Sequence, residues 1–455
     1  MRFFLKYAHF DLEEAMLIEF SVGNYCSFFE PVTLSLQAAK LRSTNKLLDS
    51  NHTFEFGGLE LLRSAAIYGA NASGKSNLVQ AMRFMRRLVL QSSRESQVDE
   101  PVGVEPFRLN TSALKKPSFF QVIFYVQDCR YRYGFEVDNR RVCSEWLYRT
   151  IKRESRLFVR EGDQYDISGA FKEGKGLAER TRDNALFLSV VAQFNGKLAT
   201  RLLGWFRKQL NIISGLDDTG YAGYTLHRFE ADGNFRKRVV AFVRQADLGI
   251  SDIDIDTLSL AEAKMPEEIR LLMEQMMIQW GSRSGARGRE GNPDLEIKQV
   301  RTQHHVFDQQ HRSIGLEYFD LEKHESEGTK KIFALSGPFL DTLEKGKVLV
   351  IDELEARLHP LITRTIISLF NSPQTNPQNA QLVFVTHDTG LLSNRFFRRD
   401  QIWFTEKDKY GVTDLYSLAE LRVRNDASFG KDYVSGKYGA IPFVGGLRAL
   451  FEDQI

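Results

Sequence analysis

Residues 69–76 read GANASGKS, a run that fits G-x-x-x-x-G-K-S and lies between the apolar stretch SAAIY and a segment with an apolar helical face. Glycines at such positions let successive backbone N–H groups wrap a chain of phosphates, and a helix starting there adds partial positive charge. Gly69, Asn71, Ala72, Ser73, Gly74, Lys75, Ser76 and Asn77 would form the cradle. In this chemistry Lys75 reaches the β and γ phosphates and the Ser76 hydroxyl binds Mg2+. ATP and Mg2+ are the expected cofactors. Farther on, VLVIDE (348–353) is a buried-type strand ending in two acids. Asp352 would hold Mg2+ through water, and Glu353 would orient and deprotonate the attacking water. His387 ends a third apolar run, QLVFVTHD (381–388), where it could touch the γ-phosphate and keep that water in line. ESEGTKK (325–331) opens a helix, and its Ser326 and Gly328 either cap that helix or meet an anion there.

These residues need strands and helices to hold them. LIEFSVGNYCSF (17–28) alternates as a strand should and breaks at Gly23-Asn24, and VTLSLQAA follows as a second strand. Residues 64–90 read as strand, turn and helix, with Leu78, Met82, Met85 and Val89 at helical spacing. SFFQVIFYV and YRYGFEV, within 118–150, look like an antiparallel pair. Residues 183–215 are expected to be mostly helical, with Asp183 as cap, and a further helix begins at Pro360. GSRSGARGREGNP (281–293) is a Gly- and Arg-rich flexible segment. No internal repeat and no sustained heptads are present, so no long coiled coil is expected. The motifs fall into an early and a late group, which implies one nucleotide fold split by a large, mostly helical insertion. The expected division is an N-terminal extension over 1–15, a first lobe over 16–150, the insertion over 151–310 and a second lobe over 311–455.

The order of phosphate loop, Ser-x-Gly helix start, strand-Asp-Glu and strand-His resembles the ABC-type ATPases, including their SMC and RecF-like branch. The fold this implies is α/β, an ABC/RecF-like nucleotide-binding head with a mixed sheet flanked by helices. In that family a Ser-Gly-Gly helix start from one subunit caps the γ-phosphate held by the other. Ser326 and Gly328 match the first and third positions, and Glu327 replaces the middle glycine. ESEGTKK, DELEARLHP, THD, KDYVSGKYGAIP (431–442) and IEFSVGNYCSF together resemble a bacterial family labelled AAA15/AAA21. That family is related to the OLD (overcoming lysogenization defect) proteins and includes RloA and AbiLi-type ATPases. The likeness runs through most of the chain from Met16 and is weakest over 215–300. It implies a slow ATPase, active as a homodimer or higher homo-oligomer, that serves antiphage defence beside a separately encoded effector, a nuclease toxin, with a phage trigger. Two positions depart from the ABC pattern: His359 stands where an Asp is usual, and Gln121 is only a stand-in for the glutamine loop.

Composition narrows the alternatives. Net charge is +2, so no global basic field demands nucleic acid. Arg283, Arg287 and Arg289 nonetheless offer a local grip on phosphate backbone, and nucleic acid stays open as a partner, directly or through the effector. Three cysteines, Cys26, Cys129 and Cys143, give no disulfide framework and no zinc spacing, and read as reduced core thiols. No apolar run nears the roughly 18–20 residues that span a bilayer, and acids interrupt the first fifteen residues, so no membrane is expected and the chain reads as cytoplasmic. Asp252, Asp254 and Asp256 alternate along one strand face and read as a solvated edge rather than a metal site. His304, His305 and His311 lack a regular ligand spacing. The alternative function is a RecF/SMC-like DNA repair ATPase. A self-contained nuclease or a transporter subunit fits the sequence less well.

Overall fold

The computed structural model describes residues 15–43, 45–94, 97, 99–246, 249–259 and 296–442. The chain divides into two compact units, Met1–Asp218 with Asp341–Ile455, and Thr219–Leu340.

The first unit holds two large sheets. One is antiparallel, built from β1 (Leu17–Gly23), β2 (Val32–Ser35), β6 (Ser118–Val126), β7 (Cys129–Val137), β8 (Val142–Thr150), β9 (Glu154–Glu161) and β10 (Gln164–Ile167), in the order β10-β9-β8-β7-β6-β1-β2. A short hairpin, β3 (Thr53–Phe56) with β4 (Leu59–Leu62), follows helix α1 (Lys46–His52). The other large sheet has the order β11-β15-β16-β5-β17-β18. Its strands are β5 (Ser64–Gly69), β11 (Leu210–Ser214), β15 (Val348–Asp352), β16 (Gln381–Val385), β17 (Ile402–Lys407) and β18 (Thr413–Ser417). All neighbours are parallel except β17 and β18. β5 and β16 are buried along their whole length, which explains their unbroken apolar runs. Register brings Ser214 beside Asp352, Phe384 beside Ala66 and Thr405 beside Gly69. The C-terminal ends of five parallel strands thus share one edge, the place where α/β sheets present ligand-binding groups.

Helix α2 (Lys75–Gln91) leaves that edge and buries Leu78, Val79, Met82, Met85, Leu88 and Val89. These side chains join one core with Phe120, Phe124 and Phe135 of the antiparallel sheet and Val350 and Val383 of the parallel one. The C-terminal KDYVSGKYGAIP segment packs on the same unit. Tyr433, in α10 (Phe429–Val434), stacks on Phe404 at 5.3 Å and meets Tyr68 edge-on at 6.2 Å.

The second unit contains α5 (Thr219–Ala231), α6 (Gly233–Ala246), α7 (Leu321–His324), most of α8 (Glu327–Lys345) and a meander of β12 (Ile250–Ser259), β13 (Glu296–Phe307) and β14 (Ser313–Asp320). Pro338 lies inside α8 and has no N–H for the carbonyl of Ala334. The Thr225 hydroxyl of α5 donates to that carbonyl at 2.7 Å instead.

The division falls at 218/219 and 340/341, not at the 150/151 and 310/311 expected from sequence. Strands β9 and β10 extend the antiparallel sheet, and β11 pairs with β15, so residues 151–218 belong with the nucleotide fold. β14 completes the meander, which places 313–320 with the insertion. The described insertion carries strands as well as helices. Likewise 183–215 is not helical throughout: α3 (Phe187–Gln193), α4 (Lys197–Gly204) and a π turn at Trp205–Gln209 run straight into β11.

Among the described residues the longest helix is α8, and no helix is long and apolar enough to cross a membrane. Cys26, Cys129 and Cys143 are unpaired. Asp254 pairs with Arg236 at 3.4 Å and Asp256 with Arg301 at 3.1 Å, while His304 pairs with Glu325 at 2.8 Å. No metal-holding cluster of His, Cys, Asp and Glu occurs among the described residues. Arg283, Arg287 and Arg289 lie outside them, as do residues 1–14.

Candidate nucleotide site

β5 ends at Gly69, and the loop 70–74 turns the chain into α2. Gly74 precedes the helix with φ +110°, and a Cβ there would fall 2.5 Å from Thr413 Oγ1 and 2.8 Å from Ser27 Oγ. Only glycine meets both demands. The first turn of α2 has no side-chain cap and no acidic residue, so its backbone N–H groups are left for an anion.

A polar frame holds the loop from outside. Thr413 Oγ1 donates to Ser73 O at 2.8 Å, Ser73 Oγ lies 2.6 Å from Thr405 Oγ1, and Asn77 Nδ2 donates to Ser27 Oγ at 2.7 Å. Ser27, Thr405 and Thr413 belong to no phosphate-loop pattern, and sequence reasoning missed them. Ser27 interrupts the run YCSFF and Thr405 ends IWF, whereas Thr413, beside Asp414, leaves no such trace.

Lys75 is buried, and its Nζ donates to the carbonyls of Gly69 and Ala70, each at 2.8 Å. Desolvation pulls the ammonium down to about 8, against the opposing charges of Asp352, Glu353 and Glu355. Ser76 Oγ donates to Asp352 Oδ1 at 3.2 Å. Burial raises the Asp352 carboxyl, while the Ser76 hydrogen bond and the charges of Arg83, Lys75 and His387 draw it back. A hydroxyl and a carboxylate this close suit Mg2+, which takes few protein oxygens and completes its shell with phosphate oxygens and water. The free helix N-terminus and the desolvated lysine likewise fit a triphosphate.

Glu353 follows β15 in the left-handed region, φ 58°. Gly215, just past β11, donates its N–H to Asp352 O at 2.6 Å. A Cβ at Gly215 would lie 1.8 Å from Glu353 O, so the bare glycine is what lets the acidic turn close. Leu354 N donates to Val385 O at 3.2 Å, tying the acidic turn to the end of β16. His387 follows that strand and exposes its side chain.

These groups face one cavity of about 490 Å³, lined by Asn71, Ala72, Ser73, Gly74, Lys75, Ser76, Asn77, Glu353, His387 and Lys407. Lys407, at the end of β17, was not anticipated. Asp352 and Gly69 adjoin the cavity through their bonds to Ser76 and Lys75. Gln121 does not line it: its side-chain oxygen accepts from Trp146 Nε1 at 3.1 Å within the antiparallel sheet. His359 caps α9 (Pro360–Phe370), accepting from Leu361 N at 3.2 Å through Nδ1. In the second unit, Ser326 Oγ accepts from Thr329 N at 3.1 Å as the cap of α8, exposed to solvent, with Gly328 in the helix's first turn. The hydroxyl thus caps the helix that ESEGTKK opens.

Several solved structures resemble the chain. An SMC head bound to the C-winged helix domain of ScpA shares 13% identity at a TM-score of 0.40, with 88% of this chain and 97% of that one covered. The SMC head domain from Thermotoga maritima shares 12% at 0.38, covering 90% and 99%. The recombination mediator protein RecF of the RecFOR pathway shares 15% at 0.35, covering 90% and 100%. No curated protein matches the chain. Residues 64–393 match the family described as "AAA domain, putative AbiEii toxin, Type IV TA system". That segment opens on the first residue of β5 and closes just past His387, enclosing both groups of motifs. The chain therefore belongs to this AAA-domain family of ATP-binding ATPases.

Proposed function

We propose that the chain hydrolyses ATP with Mg2+ at sites shared between two copies in a head-to-tail dimer. The ATP-closed dimer would be the signal read by a separately encoded effector, a nuclease, in antiphage defence. The observation that carries the reading is the gathering of Lys75, Ser76, Asn77, Glu353 and His387 around one cavity, with Asp352 bonded to Ser76. Lys75 and the α2 N-terminus would bind the phosphates. When bound, Mg2+ would offset the charge that builds on the transferred phosphoryl group. Glu353 would take the proton of the attacking water while His387 holds that water in line. Ser326 of a second copy would meet the γ-phosphate with its hydroxyl and the α8 N-terminus.

Mixing subunits tests the shared site. Lys75→Ala and Ser326→Arg should each be inactive alone. In a random mixture half of the dimers are mixed and each keeps one competent site, so about a quarter of wild-type turnover should return. A mixture as inactive as its parts would exclude sites shared in this way. Retention of duplex DNA only with ATP, with no protein partner, would favour the DNA repair alternative.

A further inference from the structure

Glu355 lies in the turn after Glu353, and no step of the mechanism above uses it. Its Oε1 accepts from the backbone N–H of His387 at 2.5 Å. Its Oε2 is buried and has no hydrogen-bond partner among the described residues. Such an oxygen is a cost to folding, since a buried acceptor without a donor loses its hydration. The placement gains little for stability, and what it does hold is the His387 amide. The His387 ring makes no hydrogen bond among the described residues, so its place follows from its backbone. Glu353 and His387 stand at the ends of the neighbouring strands β15 and β16. Two bonds join their turns, Leu354 N to Val385 O and His387 N to Glu355 Oε1. The first spans the bases of the turns, whereas the second acts at His387 itself. Glu355 is also close enough to Lys75 to help hold that ammonium's pKa up.

We infer that Glu355 is a positioning residue: by accepting the His387 amide, its carboxylate sets the spacing between the Glu353 carboxylate and the His387 ring. The inference rests on the ATPase reading, because that spacing matters only if the two groups share one water. A small displacement of aligned groups costs rate far more than binding.

The test compares wild type, Glu355→Ala and Glu355→Gln, each checked for an unchanged melting transition. Hydrogen exchange in the nucleotide-free protein reads the His387 amide directly, and steady-state kinetics reads the reaction. Glu355→Ala should exchange at His387 at least about 10-fold faster. Its kcat should fall about 10–100-fold with KM for ATP within about 3-fold, since the hydrogen bonds of Lys75 to the phosphate loop do not involve Glu355. Glu355→Gln offers an amide oxygen to the same N–H and should stay near wild type in both. Unchanged exchange in Glu355→Ala overturns the inference. So does a Glu355→Gln variant that protects His387 yet loses as much kcat as the alanine, because the charge would then matter and not the bond. Failure of the wild type to hydrolyse ATP would sink the ATPase reading separately, and the exchange data would still decide whether Glu355 holds the turn.

Discussion

Among the described residues Lys75 has only loop carbonyls as hydrogen-bond acceptors, and desolvation lowers its pKa to about 8. Phosphates placed against it would restore the charged form, so ATP binding above that pH should take up a proton. Calorimetry at pH 8.5 in two buffers of different ionisation heat should show this uptake in the wild type. It should vanish in Lys75→Arg, whose guanidinium stays charged. The stability sign follows the same way. The folded pKa lies below the ordinary 10.5, so charged Lys75 is a burden on the empty protein, relieved as pH rises from about 8 to 10.5. Nucleotide-free wild type should therefore gain melting temperature relative to Lys75→Met across that window. Gly215 supports a second prediction at this scale. The Cβ of an alanine there would fall 1.8 Å from the backbone oxygen of Glu353, which has no flexible side chain to give way. Gly215→Ala should lose turnover about 10-fold or more while nucleotide binding persists, measured as kcat beside an ATP binding constant. Binding lost equally with turnover would argue against a local effect on the acidic turn.

Elements buried on both faces were legible in the sequence, since AAIY, VLVI and LVFV are apolar without interruption and a residue with chemistry to do stands at or within two residues of the end of each strand: Gly69, Asp352 and His387. β11 was not, because its LNIIS follows α4 and the π turn with no glycine or proline to mark the change. The polar frame was hidden for another reason: Ser27, Thr405 and Thr413 reach the loop only once strands far apart in the chain pair. The α5–α8 contact carries a prediction of the same kind. Thr225 donates to the carbonyl that Pro338 leaves without a partner, and also lies 3.0 Å from Tyr221 O. Thr225→Val should cost about 1–3 kcal/mol by stranding a buried acceptor. In a Pro338→Ala background the helix can supply its own N–H, and the same substitution should cost measurably less. Additive losses in denaturant unfolding would mean that the threonine acts by packing alone.

For the whole molecule, two groups of motifs far apart in the chain converge on one sheet edge, while Ser326 caps a helix in the other unit. If that helix start serves a second copy, hydrolysis becomes a clock on association, and a variant that binds but cannot hydrolyse should accumulate as the closed dimer. Glu353→Gln is that variant, because the glutamine keeps the side chain's shape and cannot take the proton. In Mg-ATP it should sediment as a dimer, and adding Ser326→Arg or withholding nucleotide should return it to monomer. Purified in that state from cells carrying the neighbouring genes, it should bring down a stoichiometric protein identifiable by mass spectrometry. A raised 260/280 nm absorbance ratio beyond that of bound ATP, with no protein companion, would instead mark nucleic acid as the partner. A variant that stays monomeric in Mg-ATP would remove the dimer from the mechanism and leave Ser326 as a helix cap.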